Sequence, residues 1–257
     1  MGGFDRYNNL LSLFTTDENS WTVVEIAARL QTPASSIYRN LRELVAAGFL
    51  ESAAGSFYRL GPAFLEFERT IRMTDPLVRA GAVFLDKVIE QSPVPCVVVL
   101  ARLSGGKVMC VADAQTPEFE CGTSYQRGRA MPIDKGATSR AILAQLNSGR
   151  VKQVLDQAES SVNAQGLHAD LAHIRKAGRS VTSGEVDAGL KGIAVPLHNK
   201  ALGIVASLSC VFEAAGCPAT REPEITALLM QFGEAIEVHM QNRFDALEKS
   251  HEDFRAK

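Results

Sequence analysis

The chain lacks any long apolar run: its longest, such as Cys96 to Ala101, fall far short of the roughly 20 residues a helix needs to cross a bilayer. A membrane-spanning protein is thereby not expected. The first residues, Met1 to Asn9, are polar and carry an acid, which predicts no secretory leader and a cytoplasmic location. Cysteine is sparse. The five (Cys96, Cys110, Cys121, Cys210, Cys217) form an odd set without a CxxC pair, so a disulfide framework or zinc knuckle is not expected and reduced, buried thiols are. Basic excess is also missing. With 27 basic against 29 acidic side chains the net charge is -2, which gives no general field to hold a polyanion. Lysine and cysteine are both absent before Lys87, a composition shift that places a boundary near Pro76. What remains is 46% apolar residues, near the globular norm, in a length that suits one large domain or two ordinary ones.

The histidines offer no catalytic or metal set. His168 and His173 stand five apart, on different faces of a helix rather than at the i, i+4 spacing of a metal pair, and His198, His239 and His251 are scattered. Gly105-Gly106 suits a hairpin turn better than a phosphate cradle. No enzyme, metal or cofactor is expected.

Residues 7 to 61 carry a recognisable plan. Leu10, Leu11, Leu13 and Phe14 form one apolar helical face. Val23, Ile26, Ala27 and Leu30 form a second, with Thr22 as its expected N-cap. After Gln31-Thr32-Pro33 a third helix, Ser35 to Ala47, buries Ile37, Leu41 and Leu44, with proline just inside its start and Gly48 as its stop. Phe49 to Glu51 and Phe57 to Leu60 then make a hairpin around Gly55. Three helices and a hairpin, with a short turn between the second and third helices, predict a winged helix-turn-helix. In that geometry the first turn of the third helix faces the major groove.

Ser35, Ser36, Tyr38, Arg39 and Arg42 lie on the exposed part of that helix. Residues 1 to 72 are not basic overall, with seven arginines against eight acids, but no acid falls between Leu30 and Leu41. Screening over about 8 to 10 Å lets a phosphate feel the near arginines more than distant acids. Arg39 and Arg42 are spaced for phosphate or a guanine edge, and the serines are short enough for close approach. The same residues also suit a small helical bundle with a solvated arginine face, and the pattern alone leaves both open.

Residues 62 to 73 and 77 to 91 predict two more helices, broken at Asp75-Pro76. Two hairpins follow, Cys96 to Ala114 and Gly192 to Phe212, with helices expected at 137 to 146, 151 to 158 and 165 to 178, and a long final helix at 223 to 249. The second part is therefore α+β. On its last hairpin Ser207 and Ser209 point to one face, opposite Leu208. If that face is inside, the hydroxyls need partners: a ligand, or backbone and buried water. Thr138 and Ser139, at a helix start, suit an anion or simple capping.

The chain resembles the IclR-type bacterial transcriptional regulators. The resemblance is carried by Thr32-Pro33-Ala34-Ser35-Ser36-Ile37-Tyr38-Arg39, Gly48-Phe49-Leu50 and Tyr58-Arg59-Leu60-Gly61, then by Gly128-Arg129-Ala130-Met131-Pro132, Gly136 to Leu146, Gly184-Glu185 through Gly189, and Ile193 to Leu197 with Gly203. It implies a winged helix-turn-helix reader at 1–61, a linker helix at 62–75 and a GAF/PAS-like effector-binding domain at 76–257. It adds Thr32, Tyr58 and Arg59 to the expected DNA contacts. It also implies a pocket lined by Met131, Thr138, Ser139, Glu185, Asp187, Leu190, Gly192, Ser207 and Ser209. The expected partners are a double-stranded DNA operator, a small-molecule effector of carboxylate or aromatic-acid type, and further copies of the chain as a homodimer or a dimer of dimers. A repressor of a catabolic operon is the expected role, and a stand-alone sensor that dimerises through its N-terminal helices the alternative. Ser139-Arg140, where many family members have Gly-Lys, and the loop Gly184 to Gly189 depart from the pattern on the polar side of that pocket.

Overall fold

The computed structural model describes residues 4–158 and 164–255. They divide between Thr74 and Asp75 into two compact units.

In the first unit α1 (Asp5–Leu11), α2 (Val23–Arg29) and α3 (Ala34–Ala46) surround a core of Leu10, Phe14, Ile26, Ile37, Leu41, Leu44 and Leu50. Thr22 caps α2 through a reciprocal pair of bonds: its Oγ1 accepts from Glu25 N at 3.3 Å, and Glu25 Oε2 accepts from Thr22 N at 2.8 Å. An N-cap is extended rather than helical, so α2 starts after Thr22, as the expected cap implies. Trp21–Thr22 instead form a strand, β1. That strand pairs with β3 (Phe57–Leu60), which also pairs with β2 (Leu50–Ser52), so the expected hairpin is a three-stranded antiparallel sheet in the order β1-β3-β2. Pro33 stands at the N-cap of α3, one position outside the helix rather than inside it. The wing tip turns at Gly55, whose φ of 72° is the left-handed region that glycine enters without cost. A Cβ at Gly61 would lie 2.3 Å from the Gly48 carbonyl oxygen, so only glycine lets the chain leave the wing past the end of α3. From there it enters α4 (Ala63–Thr74).

The second unit opens with α5 (Pro76–Gln91), capped by Asp75, whose Oδ1 accepts from Leu77 N and Val78 N at 3.0 Å each. The two hairpins β4 (Val97–Ser104)/β5 (Lys107–Gln115) and β8 (Leu190–Asn199)/β9 (Ile204–Glu213) join through an antiparallel β4–β9 pairing. With β6 (Ala130–Met131) and β7 (Ser180–Ser183) at its edges, one six-stranded sheet results, ordered β6-β5-β4-β9-β8-β7. Between the hairpins lie α6 (Gly136–Leu143), α7 (Ser148–Gln157) and α8 (Ala164–Ala177), and α9 (Glu222–Arg255) ends the chain.

Alternation along β4 shows why the sheet is buried on both faces. Val98 and Leu100 join Leu77, Leu85, Val88, Leu229, Phe232 and Ile236 of α5 and α9 on one side. Val97, Val99 and Ala101 join Ile142, Leu143, Val154, Leu171 and Ile174 of α6, α7 and α8 on the other. Cys96, Cys110 and Cys210 are buried, Cys121 and Cys217 half-buried, and all five are free thiols. No helix of the described residues is long and apolar enough to cross a membrane, and among the same residues no cluster of three or more His, Cys, Asp or Glu is arranged to hold a metal.

Candidate DNA-reading face and effector site

α3 presents Ser35, Tyr38, Arg39 and Arg42 to solvent, with Ser36 half-buried, because Ile37, Asn40, Leu41 and Leu44 take the inward face. An open groove of about 510 Å³ runs along Tyr38, Arg39, Arg42, Glu43 and Ala46. Glu43, one turn beyond Arg39, is the acid best placed to quench that arginine. It is engaged elsewhere: Tyr7 of α1 donates its hydroxyl to Glu43 Oε2, and the Arg6 guanidinium lies 3.7 Å from the same oxygen. Arg6 thus offsets part of the Glu43 charge beside the two arginines, although the unit as a whole is not basic.

The three residues added by resemblance are placed differently. Thr32 donates its hydroxyl to Leu30 O at 3.0 Å. Tyr58 is half-buried against the apolar core. Arg59 is on the wing surface but its Nε donates to Glu51 Oε1 at 2.5 Å. Thr32 and Tyr58 are therefore half-buried, whereas Arg59 is exposed, as is the face from Ser35 to Arg42.

In the second unit α6 lies across β8 and β9, and the close approach is set by small residues: a Cβ at Gly192 would sit 3.3 Å from the Ala137 methyl. This brings Thr138, Ser207 and Ser209 together. Thr138 Oγ1 lies 2.9 Å from Ser209 Oγ, and Ser207 Oγ donates to the Thr138 carbonyl at 3.1 Å. Ser139 Oγ donates to Pro132 O at 2.5 Å. The inward hydroxyls of Ser207 and Ser209 thus find partners within the chain. Neither Thr138 nor Ser139 caps α6. Glu185 does so from the loop before β8: its Oε2 accepts from Gly136 N at 2.9 Å while its Oε1 meets the Arg140 guanidinium at 3.1 Å. Arg140 also reaches Asp170 Oδ2 at 3.3 Å.

Asp187 ties the same loop to the irregular segment after β5. Its carboxylate accepts from Ser124 N at 2.9 Å, Ser124 Oγ at 2.7 Å and Thr123 Oγ1 at 3.2 Å. Met131 and Leu190 are buried in the apolar layer on this side of the sheet. Tyr125 is not among the expected residues, yet it is buried there, with its hydroxyl 2.8 Å from where a Gly136 Cβ would stand. The signal for it in the sequence is that it is one of two aromatics, with Phe119, in the polar run from Gln115 to Arg129. Thr123, Ser124 and Arg140 are likewise partners of the loop that the sequence does not announce.

Burial pushes the Tyr125 phenol up to about 12, with the Asp187 and Glu185 charges adding to the rise and a hydrogen bond to Thr138 opposing it. Because the folded value is above the ordinary one, the neutral phenol contributes stability that is complete below about pH 10 and is lost as pH rises through 12. An absorbance titration of the four tyrosines should therefore leave one phenol un-ionised past pH 10, and Tyr125→Phe should remove that late step. A Tyr125→Phe variant whose titration above pH 10 matches that of wild type would contradict this environment.

Comparison with known proteins places both units. The family description "Bacterial transcriptional regulator IclR C-terminal" matches residues 74–238, and "IclR helix-turn-helix domain" matches residues 5–54. A Pca regulon regulatory protein of Pseudomonas putida is 23% identical over 207 residues, covering 78% of this chain and 70% of its own. Among solved structures, an IclR-type transcriptional regulator from Silicibacter superposes with a TM-score of 0.80 at 19% identity, covering 93% of this chain and 96% of its own. An IclR homologue from Microbacterium hydrocarbonoxydans, complexed with 4-hydroxybenzoate, gives a TM-score of 0.77 at 20% identity over 92% of this chain and 98% of its own. The α+β fold with an N-terminal helix-turn-helix is the fold of these relatives, and the chain belongs to the IclR family of bacterial transcriptional regulators, which are DNA-binding proteins and not enzymes.

Proposed function

We propose that the chain is a ligand-responsive repressor of a catabolic operon, acting in the cytoplasm as a homodimer or dimer of dimers. Residues 1–61 read the operator, 62–75 form the linker helix and 76–257 hold the effector. The observation that carries the reading is the exposed face of α3, with Arg39 and Arg42 open and its one acid, Glu43, paired with Tyr7 and Arg6 of α1. Arg39 and Ser35 approach base edges, and Ser36, Tyr38 and Arg42 contact the backbone. Thr32, Tyr58 and Arg59 add further contacts to the DNA.

The effector is a carboxylate or aromatic acid bound against Met131, Thr138, Ser139, Glu185, Asp187, Leu190, Gly192, Ser207 and Ser209. Two facts support that class. One carboxylate of the chain itself, Glu185, already sits on the Gly136 N–H, the group a ligand carboxylate would use. The homologue from Microbacterium hydrocarbonoxydans holds an aromatic acid.

Selection from a random double-stranded DNA library, followed by anisotropy on the enriched fragment, tests the reading. The repressor enriches a two-fold symmetric sequence with half-sites about one helical turn apart. A sensor that dimerises without reading DNA enriches nothing.

A further inference from the structure

Antiparallel pairing brings three segments to one end of the six-stranded sheet, where Val97 at the start of β4 stands opposite Gln115 of β5 and Val211 of β9. Val94 and Pro95 enter β4 there, Glu118 and Phe119 follow β5, and Phe212 and Glu213 close β9. Together with Gly216 and Cys217 they enclose a cavity of about 170 Å³. None of the residues expected to hold the effector lines it. Its walls are fixed in place. Thr116 N donates to Cys96 O at 2.9 Å, Thr116 Oγ1 accepts from Cys96 N at 2.9 Å, and Gln115 Nε2 donates to Phe119 O. Phe119 and Phe212, 3% and 1% exposed, belong to the apolar layers on opposite faces of the sheet, so the cavity lies where the two layers meet.

The charged part of the wall carries one sign. Among the described residues neither Glu118 nor Glu213 meets a lysine, arginine or histidine. Glu213 Oε1 accepts from Cys121 Sγ at 2.5 Å, and its Oε2 stands 3.9 Å from where a Gly216 Cβ would be, on the cavity side. The cations near Cys217 are engaged: Lys191 Nζ pairs with Glu222, and Arg221 Nη1 lies 2.7 Å from Glu224 Oε2. The two thiols register the resulting potential. The hydrogen bond to Glu213 pushes the Cys121 thiol up, and the charges of Glu213 and Glu120 add to the rise. Burial and the Glu222 charge push Cys217 up against Lys191 and Arg221.

Buried phenylalanines and unpaired carboxylates around one cavity select its ligand. A hydrated metal ion gains nothing from two aromatic rings, a neutral apolar molecule leaves the carboxylates unanswered, and an anion is repelled. An ammonium group on an apolar body satisfies both, since its N–H donors bond carboxylate oxygens and the face of an aromatic ring attracts a cation. We propose that this cavity binds a small primary amine in its protonated form, with the apolar body against Phe119 and Phe212 and the ammonium head held by Glu118 and Glu213.

Titration calorimetry of the full chain at neutral pH with benzylamine, benzyl alcohol and benzoate tests it, because the three share one ring and differ in the charge of the head group. Benzylamine, present as its ammonium ion, binds with a Kd of about 1 mM or tighter, and benzyl alcohol binds at least roughly 10-fold more weakly. Glu118→Gln and Glu213→Gln keep the shape of each side chain and remove its charge. Each weakens benzylamine roughly 10-fold, while thermal unfolding followed by far-ultraviolet circular dichroism shows both variants folded. Benzoate is indifferent to both substitutions, whether or not it binds at the effector site. No heat from benzylamine at millimolar concentration, benzyl alcohol bound as tightly as the amine, or unchanged benzylamine affinity in both variants overturns the proposal. A benzoate affinity that changes with Glu118→Gln or Glu213→Gln puts an anion in this cavity and overturns it as well.

Discussion

Replacing Arg39 by alanine is expected to weaken binding to the selected operator by roughly 100-fold, because each good base-edge contact contributes about 1–3 kcal/mol and a dimer makes two of them. The side chain is exposed and takes no part in the core, so the unfolding transition followed by Trp21 emission should not move. Arg42→Ala should behave differently. Removing a group that holds phosphate weakens binding alike on all sequences and lowers the salt slope by roughly one per copy. Equal affinity of wild type and Arg39→Ala at moderate salt would mean that α3 is not the reading helix. The low overall charge sharpens the expectation: with no general basic field, non-specific binding should be feeble, and a few placed groups must carry the operator complex.

Gly136→Ala is the second large effect. Gly136 has φ +80°, and an added Cβ would stand 2.8 Å from both the Tyr125 hydroxyl and Val186 Cγ2. Something must move, and everything near is part of the site: Tyr125, the Glu185 loop, and the first N–H of α6 that Glu185 holds. Backbone strain and the clash together should cost about 2–4 kcal/mol in chemical unfolding of the second unit and lower effector affinity roughly 10-fold or more. Gly189→Ala is the control. Its φ is also +80°, but no atom lies within 4 Å of the added methyl, so it should show the backbone cost without the clash. Equal losses in both variants, by titration calorimetry with an effector found in a thermal-shift screen of aromatic and small carboxylic acids, would remove Tyr125 and Val186 from the account of the site.

The helices of the reader are legible in sequence because their apolar spacing, the Thr22 cap and Gly48 all point to one arrangement. The strand Trp21–Thr22 is hidden, since an N-cap residue carries the helix signal in its side chain while its own backbone is extended. β7 has no such signal because Ser-Val-Thr-Ser has no apolar alternation, and it exists through its pairing with β8. The joining of the two hairpins through β4 and β9 is equally hidden, since no local pattern encodes a pairing between strands a hundred residues apart. In the site, the inward direction of Thr138, Ser207 and Ser209 follows from strand and helix periodicity, but their bonds to one another depend on how α6 lies on the sheet. Asp187 and Glu185 are legible as acids near a glycine. Their partners, Ser124, Thr123, Gly136 and Arg140, come from segments about 45 to 65 residues away and carry no motif of their own. The pairing of Glu43 with Tyr7 and Arg6 is a similar case. It offsets part of the acid's charge on the reading face, and only the packing of α1 on α3 reveals it.

The central claim is that effector and operator are coupled through this chain. Operator affinity measured by anisotropy with and without saturating effector is its most direct test. A repressor released by its effector should lose affinity by roughly 5- to 150-fold, a coupling of about 1–3 kcal/mol, and operator DNA should weaken effector binding by the same factor. An effector that binds the second unit tightly and leaves operator affinity unchanged would contradict the claim.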